Sequence, residues 1–213
     1  MSLKKVKLIA SILTALVILL CCFVMLRLTL PYFSFDYEVD FLLTKQAILY
    51  IDAWRWSFYI HISTSLVVLF VGLFQFIKPI QVRYPKTHRL LGKVYIFLIL
   101  FFSAPSGLIM GFYANGGTWA KISFVTISIL WWVFTLIAFL KIKKGNVAEH
   151  IAFITRSYAL TLSAITLRTY VLILPQLFIL HSKEMYVLVS WLSWVPNLIL
   201  AEILIRRKTF NDL

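Results

Sequence analysis

Two arginines and four histidines are the residues with which this chain could do chemistry. Arg156 and Arg168 lie inside Glu149–Leu174, EHIAFITRSYALTLSAITLRTYVLIL, a stretch long and apolar enough to cross a bilayer. A cation inside a membrane is costly, so it is rare and is paired, snorkels to the headgroups, or serves a function. At ~100° per residue, Arg156, Ser163 and Tyr170 share one helix face, and Ser157, Thr161, Ala164 and Arg168 share a second. Two polar faces need partners on two sides, so this helix belongs inside a bundle. A stripe of small and polar residues on a later segment, Ser190, Ser193 and Asn197, leads towards Glu202. Small residues let helices approach closely, and polar ones bond across the gap. Arg156 and Glu202 fall at similar depth, so an ion pair between them is expected.

Among the histidines, His88 and His150 each open an apolar segment from the same side. Two imidazoles at equal depth on facing helices are the minimum for a membrane b-type haem, and this pair meets it. His61 enters its segment from the other side, where His181 lies in a loop. A lone histidine more often bonds a carbonyl or a carboxylate. With Arg168, His61 makes a candidate pocket for a quinone or another lipid-like ligand. The polar set for such a pocket, or for a structural network, is His61, Gln75, Arg156, Arg168, Tyr170, Asn197 and Glu202. Cys21 and Cys22 are adjacent and form no CxxC pair, so no metal site is expected. Gly-rich phosphate loops, HExxH and GxSxG are absent, and no nucleophile–base–acid set can be argued from the spacing.

These residues must be positioned by helices in a membrane. Of 213 residues, 62% are hydrophobic and 14% charged, too few charges for a soluble domain of this size. Six spans are expected: Leu8–Leu26, Ser57–Ile77, Val94–Tyr113, Ile122–Leu140, Glu149–Leu174 and Met185–Ile205. The first is read as an uncleaved anchor within residues 1–30. Residues 31–56 form an extracytoplasmic loop in which Phe41–Ile51 is interfacial or re-entrant, and 57–208 form a five-helix core. KPIQVRYPKTHRLLGK is read as a basic loop, Pro175 as the end of the fifth span and Pro196 as a kink in the sixth. With both termini inside, fourteen of the 21 basic residues lie on the cytoplasmic side, five lie outside, and Arg156 and Arg168 complete the count. That bias follows the positive-inside rule. It turns the net charge of +13 towards anionic lipid headgroups, with no role for nucleic acid.

The chain resembles a family of bacterial multi-pass membrane proteins classed as domain of unknown function 2306. The likeness rests on His61 with Gly72 and Gln75, on HRLLGKVY (His88 to Tyr95), on Ser106-Gly107, on RSYALTLSAITLRTY (Arg156 to Tyr170) and on WLSWVPNLILAE (Trp191 to Glu202). Where such proteins often carry His-Arg at the start of the fifth span, this one has His150-Ile151. The resemblance implies a fold and no activity. The expected fold is an all-α, six-span bundle, N-in and C-in, in the bacterial cytoplasmic membrane, with room for self-association. The expected function is non-enzymatic, with a polar intramembrane site for a small or lipid-like ligand. The alternatives are a b-type haem electron carrier held by His88 and His150, and a small transporter subunit.

Overall fold

A bilayer offers no water to unpaired peptide groups, so long apolar runs must satisfy their own backbone as helices. The computed structural model describes residues 3–211. The side chains of 3–12, 14, 15, 79 and 208–211 lie outside that description, including those of the counted Lys4, Lys5, Lys7 and Lys208. Among the described residues there is no strand, and six helical stretches are long and apolar enough to span. They are Leu16–Ser34, Asp52–Gln75, Pro85–Phe112, Thr118–Lys143, Val147–Leu177 and Ser182–Arg207.

The elements are α1 (Leu3–Thr29), α2 (Asp52–Gln75), α3 (Lys78–Arg83), α4 (Pro85–Leu98), α5 (Ala104–Phe112) and α6 (Thr118–Lys143). They continue with α7 (Val147–Thr161), α8 (Ser163–Leu177), α9 (Ser182–Leu192) and α10 (Val195–Asn211). A core of Val68, Tyr95, Ile99, Trp131, Tyr158, Leu160 and Trp194 ties α2, α4, α6, α7 and the sixth span together. A smaller cluster, Cys22, Met25 and Leu69, seats α1 against α2. Outward faces carry exposed Leu20, Phe70, Phe101 and Leu172, which contact the bilayer. Helices in lipid gain little from apolar burial, so close packing decides where they meet. At Gly72 a methyl group would lie 2.5 Å from the Tyr158 ring and 2.9 Å from the Tyr95 ring. Only glycine lets α2 approach there.

Three sequence expectations are corrected. The stretch read as a basic loop is mostly helix, α3 and the start of α4; Pro85 sits in a first turn, where a missing N–H costs nothing. Pro175 does not end the fifth span: α8 runs on to Leu177, because Phe178 N donates to Leu174 O and closes the last turn. The fifth span is not one continuous helix but breaks at Leu162, whereas the sixth breaks at Ser193–Trp194, just upstream of Pro196, where the expected kink falls. A proline ring crowds the preceding turn, which puts the disruption upstream of it. In the third span, Ile99–Ser103 forms a π-turn between α4 and α5. Pro105 cannot donate to the carbonyl five residues back, and Trp132 Nε1 donates to that Leu100 O at 3.0 Å instead.

Between the first two spans the chain forms a 3₁₀ helix, Asp40–Ile48. Side chains three apart line up in this geometry, and Leu42, Lys45 and Ile48 form one edge. Leu42 and Ile48 pack with Tyr32, Leu49, Trp54, Phe58 and Tyr59 over the start of α2.

Candidate functional site

The two intramembrane arginines meet different surroundings. Arg156, on α7, is held by Glu202 of α10 through both carboxylate oxygens, with Nη2 to Oε2 at 2.9 Å. The guanidinium also lies 4.8 Å from the centre of the Phe153 ring. Arg168, on α8, pairs with no carboxylate among the described residues. Its one hydrogen bond, 3.2 Å to Ala164 O, goes back to its own helix. Tyr32, at the end of the first span, and His61, on α2, lie within electrostatic reach of it.

His61 has a defined tautomer. Its Nδ1 is 2.8 Å from Ser103 O, a carbonyl that can only accept, so Nδ1 carries the proton. Nε2 is left as an acceptor, 3.5 Å from Ser65 Oγ. The π-turn presents this carbonyl, and Gly107 on α5 leaves space for the ring. A methyl group at Gly107 would come within 2.9 Å of His61 Cε1. Ser103 Oγ donates to Thr64 Oγ1 at 2.8 Å, which fixes α2 against the same turn.

Asn197 serves the two helix breaks. Its Nδ2 reaches Thr166 Oγ1 at 3.1 Å, Ser193 O at 3.2 Å and Ala159 O at 3.3 Å, and Thr166 Oγ1 also donates to Ser193 O. Carbonyls freed by the breaks are thus recovered by side chains. Tyr170, on α8, is half-buried and makes no side-chain hydrogen bond among the described residues. Gln75 is buried beside Gly92, and its Nε2 has no partner. At the same end His150 Nδ1 bonds Ala138 O at 2.8 Å, and His88 Nδ1 is buried without a partner. These two imidazoles are close enough to interact electrostatically.

Sequence reasoning overlooked two groups. Tyr95 OH bonds Ser157 Oγ and Thr161 Oγ1, both at 2.9 Å. Thr135 Oγ1 bonds Ser157 Oγ at 2.7 Å, and Trp131 Nε1 donates to Thr161 Oγ1 at 3.1 Å. This buried hydroxyl chain joins α4, α6 and α7. The signal was present in the Ser157–Thr161 spacing, but their partners lie 22 to 66 residues away.

The second is Lys45, 3% exposed on the 3₁₀ helix. Its ammonium donates to Tyr113 O at 2.6 Å and to Asn115 Oδ1 at 2.7 Å, with the Phe41 and Trp54 rings 5.5 and 5.9 Å away. Burial, helped by repulsion from Lys121, pulls its pKa down from 10.5 to about 8. A single lysine in a polar loop carries no signal of this kind in sequence.

The second to sixth spans match a known family. This chain belongs to the DUF2306 family of predicted membrane proteins. The family model matches residues 58–205. No curated protein matches the chain, and no solved structure does. The DUF2306 range holds His61, Arg156, Arg168, Asn197 and Glu202, while Tyr32 and Lys45 precede it.

Proposed function

We propose that this protein holds an amphiphile by an anionic headgroup at Arg168, with His61 and Tyr32 beside it. One observation carries the reading: Arg168 has no carboxylate partner among the described residues, whereas Arg156 has Glu202. An uncompensated cation inside a membrane is costly, and a ligand that brings an anion relieves that cost. A guanidinium has five N–H donors in a planar fork suited to phosphate or carboxylate, and here only one contact, to Ala164 O, uses them. His61 Nε2 adds an acceptor for a ligand hydroxyl. The tail of such a ligand would stay in the lipid against the apolar outer faces. In this reading the protein sits in the bacterial cytoplasmic membrane with both termini inside, and its basic turns meet anionic lipids.

Native mass spectrometry of the detergent-solubilised protein with dioleoyl phosphatidylglycerol, against dioleoyl phosphatidylcholine, tests it. A charge-assisted hydrogen bond contributes ~1.5–3 kcal/mol, so Arg168→Gln should weaken phosphatidylglycerol binding about tenfold or more and leave phosphatidylcholine unchanged. Equal binding of phosphatidylglycerol by Arg168→Gln refutes the reading.

A second reading, haem held by His88 and His150, is favoured by the Nδ1 bond of His150 to Ala138 O, which leaves Nε2 free in the way a ligating histidine requires. The unpartnered Nδ1 of His88 faces the same end.

A further inference from the structure

Residues 35–51 pack over the start of α2, the helix that carries His61. Their underside, Phe41, Leu42, Ile48 and Leu49, packs on Trp54, Phe58 and Ile62 of α2, the last adjacent to His61. Phe41 N donates to Tyr32 OH at 3.3 Å, and Tyr32 lies within electrostatic reach of Arg168. The segment is joined to the distant α5–α6 turn by Lys45 and by Asn115 Nδ2, which donates to Thr44 Oγ1 at 3.2 Å. Phe35 and Asp40, near its start, both have positive φ, of 57° and 39°, which is strained for residues with a side chain. An apolar pad on a strained strap, fastened at one cation, has the build of a lid.

We propose that residues 35–51 are a lid over the Arg168–His61 site, that Lys45 is its latch, and that proton uptake by this amine releases it. What the lid covers rests on the reading given under the proposed function; the latch does not. A neutral amine has two N–H groups, and the cage offers two acceptors, Tyr113 O and Asn115 Oδ1, with aromatic faces on the remaining sides. A third proton on the amine finds no carboxylate there. The titratable groups on the lid and the elements around it are Asp36, Tyr37, Glu38, Asp40 and Tyr50 on the lid, Tyr32 ahead of it, Asp52, Arg55 and Tyr59 on α2, Tyr113 after α5, Lys121 on α6, and Lys183, Glu184 and Tyr186 on α9. Of these, Lys121 acts on Lys45, and it repels.

The sign follows from linkage. With the lid shut the amine titrates near pH 8, and once released into water it returns towards 10.5. The open form therefore binds the proton more tightly, and protonation favours opening. Opening is greatest below about pH 8 and falls by up to about tenfold per pH unit as pH rises from 8 towards 10.5.

Hydrogen exchange of the full-length protein in lipid nanodiscs, corrected for intrinsic rates, reads the lid through peptides covering 40–49. The expected result is about tenfold more protection per unit between pH 8 and 10 in the native protein, and none of that slope in Lys45→Met. A native lid whose protection is flat with pH, or a Lys45→Met lid that keeps the slope, overturns the latch. Should Lys45→Met not fold, Thr44→Val removes the Asn115–Thr44 bond and leaves both acceptors of the amine, and against that control Asn115→Leu removes one of them. It should raise opening about tenfold, and unchanged protection overturns the latch equally.

A second arm measures association of dioleoyl phosphatidylglycerol, whose charge is constant over this range. It should slow at pH 9.5 relative to pH 8 in the native protein and not in Lys45→Met. If the lid responds while association does not, the gate is refuted. If Arg168→Gln binds phosphatidylglycerol normally, the ligand site fails while the exchange result still decides the latch.

Discussion

Removing one partner of the Arg156–Glu202 pair should cost far more than removing both. Stranding one charge of a buried pair costs ~3–5 kcal/mol, whereas replacing the whole pair by apolar residues is often neutral. The Arg156 side chain is 19% exposed and that of Glu202 36%, so solvent or headgroups screen part of that cost. A discounted loss of ~1–3 kcal/mol is expected for Glu202→Leu, which leaves Arg156 only the Phe153 ring. Arg156→Leu should lose ~1–2 kcal/mol, because the more exposed carboxylate keeps contact with water or takes up a proton. The double variant should return to within ~1 kcal/mol of the native protein, a strongly non-additive cycle. Arg168→Leu is the control: no partner is stranded, so stability should hold or rise. Reversible unfolding by sodium dodecyl sulfate in mixed micelles gives the four free energies. Additive single losses in the double variant, or an Arg168→Leu loss as large as that of Arg156→Leu, would refute the reasoning.

Within the hydroxyl chain, Thr161→Val should destabilise by ~1–3 kcal/mol and Tyr95→Phe by about 1 kcal/mol, measured by the same unfolding. The first strands the buried Trp131 Nε1; the second leaves Ser157 bonded to Thr135 and Thr161 bonded to Trp131, so the reverse order would contradict the network. For the haem reading, protein from haem-sufficient cells should be red, with a Soret band that shifts on dithionite and is lost in His88→Ala. A colourless preparation removes that reading.

The six spans were legible because a bilayer core demands about 20 apolar residues in helical form, and the chain repeats such runs. Interruptions were less legible. Pro196 marked a kink, but whether a span bends, breaks or takes a π-turn depends on which neighbour collects the freed carbonyls. Trp132 does so for Leu100 O, and Asn197 for Ser193 O and Ala159 O; those partners come from other helices. The bidentate contact of Arg156 with Glu202 lies where a depth count along two helices puts it. The surroundings of Arg168 could not be read that way. The fold puts Tyr32 and His61 within electrostatic reach of it. Lys45 was hidden for the opposite reason: its burial depends on a 3₁₀ helix whose packing against α2 leaves no periodic trace.

A polar atom in a membrane bundle has no bulk water to fall back on, so its bonding state separates structural from ligand-facing roles. Ser157, Thr161, Thr135, Tyr95 and Asn197 bond mainly to one another and to backbone, so they hold helices together and have little left for a ligand. Arg156 is spent on Glu202 in the same way. Arg168 is not: a cation with one weak bond to its own helix keeps most of its donors free. His61 is held by Ser103 O at Nδ1, and its Nε2 meets only a 3.5 Å contact from Ser65 Oγ. In the proposed reading, the unused donors of Arg168, with His61 and Tyr32 in electrostatic reach, form a headgroup site whose lid is the segment held by Lys45.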